Sequence, residues 1–436
     1  MANIRIEAIG GYGEIGKNMT AITVNGDVVL LDMGMHMENL LNHVPDSQLG
    51  SFSREEMINW GIIPDDSHID PDSVVGIVPS HGHLDHIAGI PYLESRYDCN
   101  IYATPYTAQV LRRQFKDNGF KRRNRIRSTQ YGKIIKLSKN ISIEFVFVTH
   151  SIPHASIVAI HTPQGVICYA NDYKFDDEPT GEISDYARLE QLGSNCICLI
   201  SECLYARKPG RTPFESVAKT QLTELMNKYN TKGIFVTTFT SHVYRVETIV
   251  KLAKAMNRKV ALFGRSLEKY LTAAKMAGVS RVIDEVELYP YKSQIKRKLR
   301  QVGREKHKYV FLMTGHQAEE NAVLNSMVSG ALPNIFAPND LFIFSCHTIP
   351  TDAIQKARAQ LEKRMDAYHM HMFKDVHVSG HASVDDLQKL VKLVKPRLVI
   401  PSHGVEEMMN AYMENVAIPL KVKCHKLYTG KGVDLE

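Results

Sequence analysis

Apolar and polar residues alternate in short runs through the first 170 residues, and this pattern predicts a domain built mainly from β-strands. The runs are rich in β-branched and aromatic residues. They predict strands at 5–9, 19–24, 27–32, 74–79, 141–148 and 166–170. Asn25-Gly26 predicts a two-residue hairpin turn between the second and third of these strands. Residues 40–72 have no regular pattern and are expected to form surface loops.

The middle of the chain changes to an alternation of short apolar runs with longer helical patterns. The apolar runs predict buried strands at 198–201, 233–237, 259–263, 309–314 and 341–345. The periodicity between them predicts helices at 213–228, 244–256, 266–277 and 317–328. Such an alternation is typical of a parallel α/β domain. The chain then continues with predicted helices at 351–365, 384–394 and 405–414 and strands at 374–378 and 397–400.

Residues 11–16, Gly-Tyr-Gly-Glu-Ile-Gly, match the GxGxxG fingerprint of dinucleotide-binding proteins. That fingerprint binds a pyrophosphate only where a strand precedes it and a helix begins at its end. Here a second strand begins at residue 19, and no room remains for a crossover helix before the turn at Asn25-Gly26. We therefore interpret the segment as a glycine-rich loop between antiparallel strands.

Composition places the chain among ordinary globular proteins and excludes several other classes. Hydrophobic residues make up 44% and charged residues 23% of the 436 positions, which is typical of a folded chain with more than one domain. The seven cysteines are an odd number without paired CxxC spacing, which predicts reduced, mostly buried thiols. Neither a signal peptide nor an apolar run of membrane-spanning length is visible, so we expect a cytoplasmic protein without membrane attachment.

The strongest chemical signal is the segment 80–86, Ser-His-Gly-His-Leu-Asp-His, which directly follows the apolar run 74–79. Four side chains that bind metals, His81, His83, Asp85 and His86, fall within six positions. Histidine and carboxylate ligands are typical of zinc sites, but this spacing does not let all four face one side of a regular helix. On a tight loop after a strand they can divide between two neighbouring ions.

Three more residues of the same chemistry follow other predicted strands. His150 follows the run 141–148, Asp172 follows 166–170, and His403 follows 397–400. Each alone would be an ordinary loop residue, but together with the loop at 81–86 they predict one centre with seven ligands. Asp172 is the candidate for a carboxylate that bridges two metal ions.

This pattern of HxHxDH and a later His, Asp and His resembles the metallo-β-lactamase fold, an α/β protein with an αββα sandwich, and the inserted parallel α/β segment resembles its β-CASP branch. The segments GGYGEIGKNM, THSIP and VSGHA, at 10–19, 149–153 and 378–382, narrow the resemblance to the ribonuclease J family in its short archaeal form. The resemblance covers essentially the whole chain. It implies a β-CASP domain at 199–365 between metallo-β-lactamase segments at 1–198 and 366–436. The chain ends soon after His403, so the C-terminal domain of bacterial members is expected to be absent.

The resemblance also implies two Zn²⁺ ions per chain, with Mn²⁺ as the alternative. The ligands implied are His81, His83 and His150 for one ion and Asp85, His86 and His403 for the other, with Asp172 bridging them. Two ions about 3.5–4 Å apart lower the pKa of a shared water and hold a phosphodiester between them. The resulting hydroxide would attack phosphorus in line with the departing 3′-oxygen, and Asp85 is counted among the catalytic residues as well as the ligands.

Other residues take roles from the resemblance as well. Glu202 and His381 match the acidic and histidine motifs A and B of the β-CASP branch, and Asp32 matches an aspartate that supports the metal loop. We expect His381 to protonate the leaving oxygen, with Glu202 bonded to its other nitrogen. The alternative for His381 is a helix-capping loop, because Ser383 precedes a helical pattern. His154 stands where bacterial relatives carry Asp, and its role is open.

Phosphate-binding groups are predicted where strands end and helices begin. Ligands collect at the carboxyl ends of parallel strands, and backbone N–H groups at helix starts bind phosphate. The candidates are Ser241, His242, Arg245, Arg265, Ser266, Ser379, Gly380, Ala382 and Ser383. Residues 314–317 and 345–348 repeat the arrangement, and together such strand ends would form a groove beside the metal centre. Ordinary loop chemistry is the alternative for each.

The net charge of +6 is concentrated in two segments. Residues 121–127 carry five positive charges, and residues 292–308 carry eight Lys or Arg against one Glu. Such runs are either solvated faces or surfaces that follow RNA phosphates, in which case their contribution to affinity depends on salt.

These features together predict a cytoplasmic di-zinc ribonuclease that degrades single-stranded RNA from 5′ to 3′ and prefers a 5′-monophosphate end. The RNA substrate and the direction are implied by the resemblance. The alternatives within enzymes are an endoribonuclease like the polyadenylation-specificity factors and a DNA-processing nuclease. The alternative outside enzymes is an inactive scaffold that binds RNA or proteins, although all seven expected ligands are present. Whether the chain forms a homodimer is left open by the sequence.

Overall fold

A computed structural model describes residues 3–44, 49–349 and 352–435, and the chain divides into two compact units. Unit 1 consists of Met1–Asp177, Glu182–Thr212 and Gly380–Glu436, and unit 2 consists of Glu178–Gly181 and Pro213–Ser379. Unit 1 is thus assembled from both ends of the chain, and most of unit 2 is one continuous insertion.

The strands and helices of the described residues follow each other in this order. The strands are β1 (Ile4–Gly10), β2 (Met19–Val24), β3 (Asp27–Leu31), β4 (Val74–Val78), β5 (Ile101–Ala103), β6 (Ile126–Ser128), β7 (Ile135–Lys136), β8 (Ser142–Phe147), β9 (Ser156–Thr162), β10 (Gly165–Ala170), β11 (Cys196–Glu202), β12 (Ile234–Thr238), β13 (Lys259–Phe263), β14 (Glu287–Tyr289), β15 (Tyr309–Met313), β16 (Leu341–Ser345), β17 (His371–Phe373), β18 (Leu398–Ser402), β19 (Lys423–Cys424) and β20 (Lys431–Leu435). The helices are α1 (Met37–His43), α2 (Arg54–Asn59), α3 (Leu84–Ile87), α4 (Ile90–Leu93), α5 (Pro105–Asp117), α6 (Tyr186–Leu192), α7 (Glu215–Lys228), α8 (Val243–Ala255), α9 (Arg265–Met276), α10 (Lys292–Val302), α11 (Val323–Val328), α12 (Asp352–Met365), α13 (Val384–Val394) and α14 (Glu406–Tyr412). Short 3₁₀ segments lie at Leu49–Ser51, Pro71–Ser73, Glu94–Arg96, Val282–Glu285, Gly303–Lys308 and Asp366–Tyr368, and a π turn, Met413–Ala417, extends α14.

The N-terminal hairpin forms where the sequence predicts it. Strands β1, β2 and β3 pair antiparallel, and the turn between β2 and β3 uses left-handed backbone at Asn25 (φ 51°) and Gly26 (φ 90°). Those two angles are the ones that a type I′ turn requires. No helix begins between Gly16 and β2, so the interpretation of residues 11–16 as a loop between antiparallel strands is confirmed.

Unit 1 is a sandwich of two sheets. The first has the strand order β20-β1-β2-β3-β4-β5-β6, and the second has the order β19-β18-β11-β10-β9-β8-β7. Apolar side chains from both sheets meet in one core, among them Ile22 and Val29 from the first and Phe145 and Ile160 from the second, all fully buried. Each such burial stabilises the fold by about 1.5–3 kcal/mol, which fixes the face that each strand turns inward.

Helices cover the outer faces of this sandwich and complete the predicted αββα arrangement. Leu189 of α6, Leu390 of α13 and Met409 of α14 pack with Cys168 and Leu199 in a second core on the far side of the second sheet. Helix α5 packs against β5 and β6 of the first sheet. The four-layer fold class that the sequence predicts is therefore confirmed.

A buried carboxylate ties the rim of the second sheet to α6. Glu144 on β8 accepts hydrogen bonds from Arg188 on α6, at 2.7 and 2.8 Å, and from His161 on β9, at 3.0 Å. Burial alone would raise the pKa of Glu144, but these two partners outweigh it and lower the pKa to about 2. The carboxylate is therefore ionised throughout the neutral range, and its charge is matched on both sides.

Unit 2 is built around a parallel sheet of order β14-β13-β15-β12-β16-β17. Its core holds Phe235, Phe263, Phe311 and Phe342, which are all fully buried. Strands buried on both faces read as continuous apolar runs, and this is why the pattern of apolar runs located β12, β13, β15 and β16 to within one or two residues.

Several predicted elements differ from the structure. The run predicted at 198–201 as the first strand of the α/β unit is β11, which pairs parallel with β10 and β18 in the second sheet of unit 1. The helix predicted at 317–328 is only α11, and the strand predicted at 374–378 lies earlier, at β17. Residues 40–72 contain α1 and α2 rather than loops alone, although 45–48 lie outside the described residues, as does residue 351 of the helix predicted at 351–365.

The cysteines are placed as the sequence predicts. Five of the seven thiols are buried, and all seven are free, as predicted. Within the described residues, no helix has both the length and the apolar character needed to cross a membrane.

Candidate metal centre

The HxHxDH segment lies on a tight loop between β4 and α3 in unit 1. His83 is the residue that precedes α3, and Asp85 and His86 belong to its single turn. His81 and His86 are buried, and Asp85 keeps 23% of its side chain exposed. A strand that ends at the loop and a helix of one turn therefore send the four side chains in different directions, as the spacing predicted.

The first donor group consists of His81, His83, His150 and Asp172, whose ligand atoms all lie within 4.8 Å of one another. His83 Nδ1 is 3.0 Å from His81 Nε2 and 3.1 Å from His150 Nε2. Asp172 Oδ2 is 3.5 Å from His81 Nε2 and 3.4 Å from His150 Nε2. Three ring nitrogens and one carboxylate oxygen thus converge on one point.

The second donor group consists of Asp85, His86, His403 and again Asp172. Here Asp172 contributes its other oxygen, Oδ1, which lies 3.4 Å from His86 Nε2 and 3.8 Å from His403 Nε2. Asp85 Oδ2 lies 3.5 Å from His86 Nε2 and 3.7 Å from His403 Nε2. The structure therefore brings all seven predicted residues together, in two groups that match the division implied by the family resemblance.

The donor atoms fit metal ions in both spacing and chemistry. Bonds of about 2.0–2.1 Å to a tetrahedral ion put neighbouring ligand atoms about 3.4 Å apart, and the separations in both groups lie close to this value. Asp172 Oδ1 is a buried carboxylate oxygen without a hydrogen-bond partner among the described residues. Such an atom is costly to bury unless an ion completes it. The residues present therefore fit a divalent metal centre.

The outer nitrogens of four ligand histidines are held by acceptors. His86 Nδ1 donates to Asp32 Oδ2 (2.8 Å), His150 Nδ1 to the carbonyl of Gly380 (2.7 Å) and His403 Nδ1 to Asn18 Oδ1 (2.9 Å). His81 Nδ1 faces Ser80 Oγ at 3.0 Å, and that hydroxyl donates to Asp32. A proton kept on Nδ1 leaves the lone pair of Nε2 directed into the site.

The charges at the centre follow from burial and from the carboxylates. Burial lowers the pKa of His81, His83 and His150, which keeps these rings neutral. Burial would also lower the pKa of His86, but the carboxylates, Asp172 foremost, raise it well above the ordinary value. Burial would raise the pKa of Asp172, but the surrounding histidines, His86 foremost, together outweigh it and lower the pKa of that carboxyl. The space between the carboxylates therefore favours positive charge.

The glycine-rich loop at 11–16 supports the centre, a role that the sequence did not predict. Asn18, which follows the loop, accepts from His403 and donates its side-chain amide to the carbonyl of Asp85 at 3.1 Å. The backbone N–H of His403 donates to the carbonyl of Gly11 at 2.6 Å. In the sequence, the available sign of this role was a glycine-rich segment that does not lead into a helix and is followed by Asn18. Its proximity to His403 depends on the fold and is not visible in the sequence.

His381 lies beside Asp172 and makes the hydrogen bond predicted for it. Its Nδ1 is 2.8 Å from Glu202 Oε2 and 4.0 Å from Asp172 Oδ2. Burial opposes protonation, but the charges of Glu202 and Asp172 raise the pKa of His381 to about 10. Burial raises the pKa of Glu202 to about 7. His381, Glu202 and Asp172 also form a third group with the spacing of metal ligands.

The start of α13 does not offer its N–H groups to a phosphate, contrary to the prediction for Ala382 and Ser383. The backbone N–H groups of residues 382–385 all donate to acceptors in the chain itself, at 3.0 to 3.3 Å. The acceptors are Glu202 Oε1, Thr212 Oγ1 and the carbonyls of Lys208 and Gly210. Ser383 is the residue that precedes α13, but its hydroxyl faces Thr212 Oγ1 and does not cap the helix.

Arg245 of unit 2 is also not placed to contact a phosphate. Its side chain is fully buried and forms a two-pronged pair with Glu215, and Nη1 donates to Ser345 Oγ at 2.7 Å. Glu215 Oε2 also lies 3.5 Å from Nε2 of His242, whose Nδ1 accepts from the N–H of Arg245. The prediction for Arg245 is wrong because its guanidinium is used inside the unit.

The remaining phosphate candidates lie in both units. Arg265 and Ser266 are exposed at the first turn of α9, directly after β13. Ser241 and Ser379 are partly exposed in unit 2. Gly380 belongs to unit 1, and its carbonyl is the acceptor for His150. Their contacts with a phosphate stay a prediction.

The open role of His154 is structural. Its Nδ1 accepts the backbone N–H of Tyr106 in the first turn of α5 at 3.2 Å, and its carbonyl accepts from Thr104 at 3.0 Å. Burial lowers the pKa of His154 to about 4, which keeps the ring neutral and able to accept. His154 therefore caps α5 and is not a metal ligand.

Comparison with known proteins agrees with this fold and site. Residues 12–187 match the family model of the metallo-beta-lactamase superfamily, residues 231–360 match "Ribonuclease J, beta-CASP domain", and residues 368–425 match "Zn-dependent metallo-hydrolase RNA specificity domain". A crystal structure of a protein of unknown function from Enterococcus faecalis V583 shares the fold, with a TM-score of 0.70 at 19% identity over 99% of this chain and 100% of that chain.

Relatives of known name cover nearly the whole chain. Ribonuclease J of Pyrococcus abyssi is 39% identical over 417 residues, 94% of this chain and 92% of the relative. Ribonuclease J of Methanocaldococcus jannaschii is 39% identical over 99% of each chain. Ribonuclease J 1 of Streptococcus pyogenes is 30% identical, over 94% of this chain and 70% of the relative.

The fold and the centre define a metal-dependent hydrolase of the metallo-β-lactamase superfamily with an inserted β-CASP domain. The matches over nearly the full length narrow that class further. The chain belongs to the ribonuclease J family and is a metal-dependent ribonuclease that acts on RNA. The resemblance found in the sequence is confirmed, and the inactive scaffold is excluded.

Proposed function

We propose that this ribonuclease is a two-metal exonuclease that degrades single-stranded RNA from the 5′ end and prefers a 5′-monophosphate. The observation that carries the two-metal part is Asp172, whose Oδ2 lies with one donor group and whose Oδ1 lies with the other. The direction and the end preference rest on the family resemblance.

The nitrogen and carboxylate donors suit zinc, with manganese as the alternative. His81, His83 and His150 would hold one ion, Asp85, His86 and His403 would hold the other, and Asp172 would bridge them. Two divalent ions bound there would supply a water of lowered pKa and positive charge against the phosphate oxygens. Metal analysis of the purified protein by mass spectrometry, expected to give two ions per chain, tests this assignment.

His381 is the residue that we assign to the leaving group. Hydrolysis forms a bond from a water oxygen to phosphorus and breaks the bond from phosphorus to the 3′-oxygen, which must gain a proton. Glu202 holds Nδ1 of His381 at 2.8 Å, which fixes the ring and leaves Nε2 as the atom that donates this proton. With 20% of its side chain exposed, His381 remains within reach of a substrate.

The assay that tests the direction uses RNA labelled at its 5′ or its 3′ end and carrying a 5′-triphosphate, a 5′-monophosphate or a 5′-hydroxyl. We expect the 5′ label to be released first, as a mononucleotide, and fastest from the monophosphate. Fragments of intermediate length from all three substrates would contradict the proposal and would indicate an endoribonuclease instead.

Substitutions in the centre separate metal binding from proton transfer. Asp85→Ala is expected to abolish cleavage while RNA binding survives. His381→Ala is expected to lower kcat by about 10²–10⁴-fold while the metal content stays unchanged. His425→Ala, which removes an exposed histidine of unit 1, is the matched control and should leave both unchanged. A fall in metal content with His381→Ala would contradict the assigned role.

Two other expectations from the sequence stay predictions, a cytoplasmic location and a homodimer. Cell fractionation followed by detection of the protein checks the location. Sedimentation equilibrium at several protein concentrations checks the assembly.

A further inference from the structure

The largest local excess of positive charge lies in one continuous segment of unit 1. Residues 112–139 carry eleven Lys or Arg and one Asp. The rest of the chain therefore holds 42 Lys or Arg and 46 Asp or Glu, so that its net charge is −4 although the whole chain has +6. A segment that reverses the sign of the whole chain is a strong local electrostatic feature. We call residues 112–139 the basic flank.

The cations of the basic flank are turned toward solvent. Nine of the eleven are exposed, and the two others, Arg112 and Arg113, are partly exposed. The one acidic residue of the segment, Asp117, is 3.6 Å from Arg113. In the described part of the chain, no ion pair or hydrogen bond joins the side chains of Lys121, Arg122 and Arg125 to an acidic residue.

Like charges are close enough in the basic flank to affect each other. Burial, and then the charge of Arg122, lower the pKa of Arg112. Holding like charges together raises the free energy of the protein alone, and binding a polyanion relieves this repulsion.

The second basic segment, 292–308 in unit 2, is different, because much of its charge is used inside the unit. Lys298 is buried, with Nζ 2.6 Å from Glu287 and 3.0 Å from the hydroxyl of Tyr309. Lys306 Nζ is 2.5 Å from Asp340. The two segments look alike in the sequence, but in the structure Lys298 and Lys306 of the second one are paired with acidic residues inside unit 2, and its exposed cations lie mainly on α10.

Helix α5 connects the basic flank to the metal loop within unit 1. A methyl group on Gly82, between the ligands His81 and His83, would lie 3.6 Å from Cγ2 of Val110 on α5. At 1.5 Å per residue, Lys116 lies about 9 Å farther along the same helix. The flank therefore begins within one turn of the contact with the loop that holds the first ligands, reaches Lys116 about two turns away, and continues through β6 and β7, the edge strands of the two sheets.

We propose that the basic flank binds the phosphate backbone of single-stranded RNA outside the metal centre, so that it recognises the body of the substrate and not its reacting end. This inference uses the RNA substrate and does not depend on the direction of degradation. The alternative is that cations on β6 and β7 only keep these edges from pairing with other chains. That role needs no second row of cations on α5, and it gives no dependence on RNA length.

The test compares the intact metal-loaded enzyme with two variants that each lose three positive charges. Lys121→Gln/Arg122→Gln/Arg125→Gln removes cations of the flank, and Lys296→Gln/Arg297→Gln/Arg300→Gln removes exposed cations of α10 as the matched control. For both, KM and kcat are measured on a long unstructured RNA and on a trinucleotide, each with a 5′-monophosphate, over a series of salt concentrations.

The flank variant should raise KM for the long RNA by about 10–100-fold at low salt and reduce the slope of log KM against log salt by about 2. Its KM and kcat on the trinucleotide, and both constants of the control, should stay unchanged. An unchanged KM on long RNA would overturn the proposal, and so would an equal rise with the control, which would indicate diffuse charge attraction.

Two further measurements distinguish a wrong proposal from a misfolded variant or a damaged metal centre. Lys133→Gln/Lys136→Gln/Lys139→Gln neutralises other exposed cations of the flank and should give a rise in the same direction if the first variant folds poorly. Loss of activity on the trinucleotide would report damage to the metal centre. A wrong assignment of the direction would appear in the end-labelled assay and would leave the contrast between long and short RNA intact.

Discussion

Asp32→Asn is the substitution that most directly tests how the centre is supported. Asp32 is fully buried just after β3 and binds no metal in this arrangement. Its Oδ1 accepts the N–H of Ser80 at 2.7 Å. Its Oδ2 accepts from His86 Nδ1 at 2.8 Å, from Tyr169 OH at 2.9 Å and from Ser80 Oγ at 3.0 Å. Asparagine has the same shape but replaces one of these acceptor oxygens with an N–H donor.

The magnitude follows from which partners can adapt. The hydroxyls of Ser80 and Tyr169 can rotate and accept from the new amide, but the Nδ1–H of His86 cannot. If this N–H loses its acceptor, the lost bond to a charged group costs about 1.5–3 kcal/mol. If the proton moves to Nε2 instead, it points at Asp172 Oδ1, 3.4 Å away, and blocks the ligand lone pair. Loss of such a supporting contact weakens metal binding by about 10–100-fold.

Two measurements on Asp32→Asn separate these effects. Urea unfolding in the presence of a chelator gives the free energy of unfolding of the metal-free protein, and competition with a chromophoric chelator gives the metal affinity. Asp27→Asn is the matched control, because Asp27 stands at the other end of β3 and its carboxylate accepts a hydrogen bond from Asn140, away from the metal centre. The reasoning would be refuted if Asp32→Asn had the same free energy of unfolding as the control and a metal affinity within twofold of it.

Three other predictions concern single positions. Gly380→Ala should lower metal content and activity, because a Cβ would lie 2.7 Å from His150 Nδ1; normal metal content by mass spectrometry would contradict it. Glu144→Gln should destabilise the protein by about 3 kcal/mol at neutral pH. Because the fold stabilises the ionised form of Glu144, this difference in the free energy of unfolding should disappear as the pH falls from about 5 through about 2. A difference that stays constant with pH in urea unfolding would contradict the prediction. Arg245→Met should destabilise unit 2 by about 3–5 kcal/mol because Glu215 then stays buried without its arginine partner. In urea unfolding, the double variant Arg245→Met/Glu215→Gln should regain part of this stability, and a further loss of stability would contradict the role of the pair.

The fold was predictable where a local pattern decides the structure. Strands buried on both faces, such as β12 and β16, appear as continuous apolar runs, and the Asn25-Gly26 turn depends on backbone angles of its own two residues. The assignment of β11 was wrong because its strand partners decide which sheet it joins, and one of them, β18, lies about 200 residues further along the chain. An apolar run predicts a strand, but it does not indicate which other strands pair with it.

The candidate site shows the same division between local and distant information. The seven donor residues were predictable because each is a strong ligand type directly after an apolar strand. The groups that orient them were mostly not, because Asn18 and the carbonyl of Gly380 are ordinary in the sequence and act only where the fold places them, beside His403 and His150. The failed prediction for Arg245 has the same cause, since nothing in the sequence indicates that Glu215, 30 residues away, is its partner.

The backbone at the centre gives a reason why these supporting contacts matter. Asp32 and His403 both have left-handed backbone, with φ of 56° and 52°, which costs about 1–3 kcal/mol for a residue other than glycine. Each residue also makes hydrogen bonds in this conformation: the carboxylate of Asp32 accepts from Ser80 and His86, and the N–H of His403 donates to Gly11. The strain is therefore offset by the chain itself before any metal binds. If a supporting contact is removed, this backbone can relax and the ligand side chain can move with it. We therefore expect Asp32→Asn to weaken metal binding although Asp32 belongs to neither donor group.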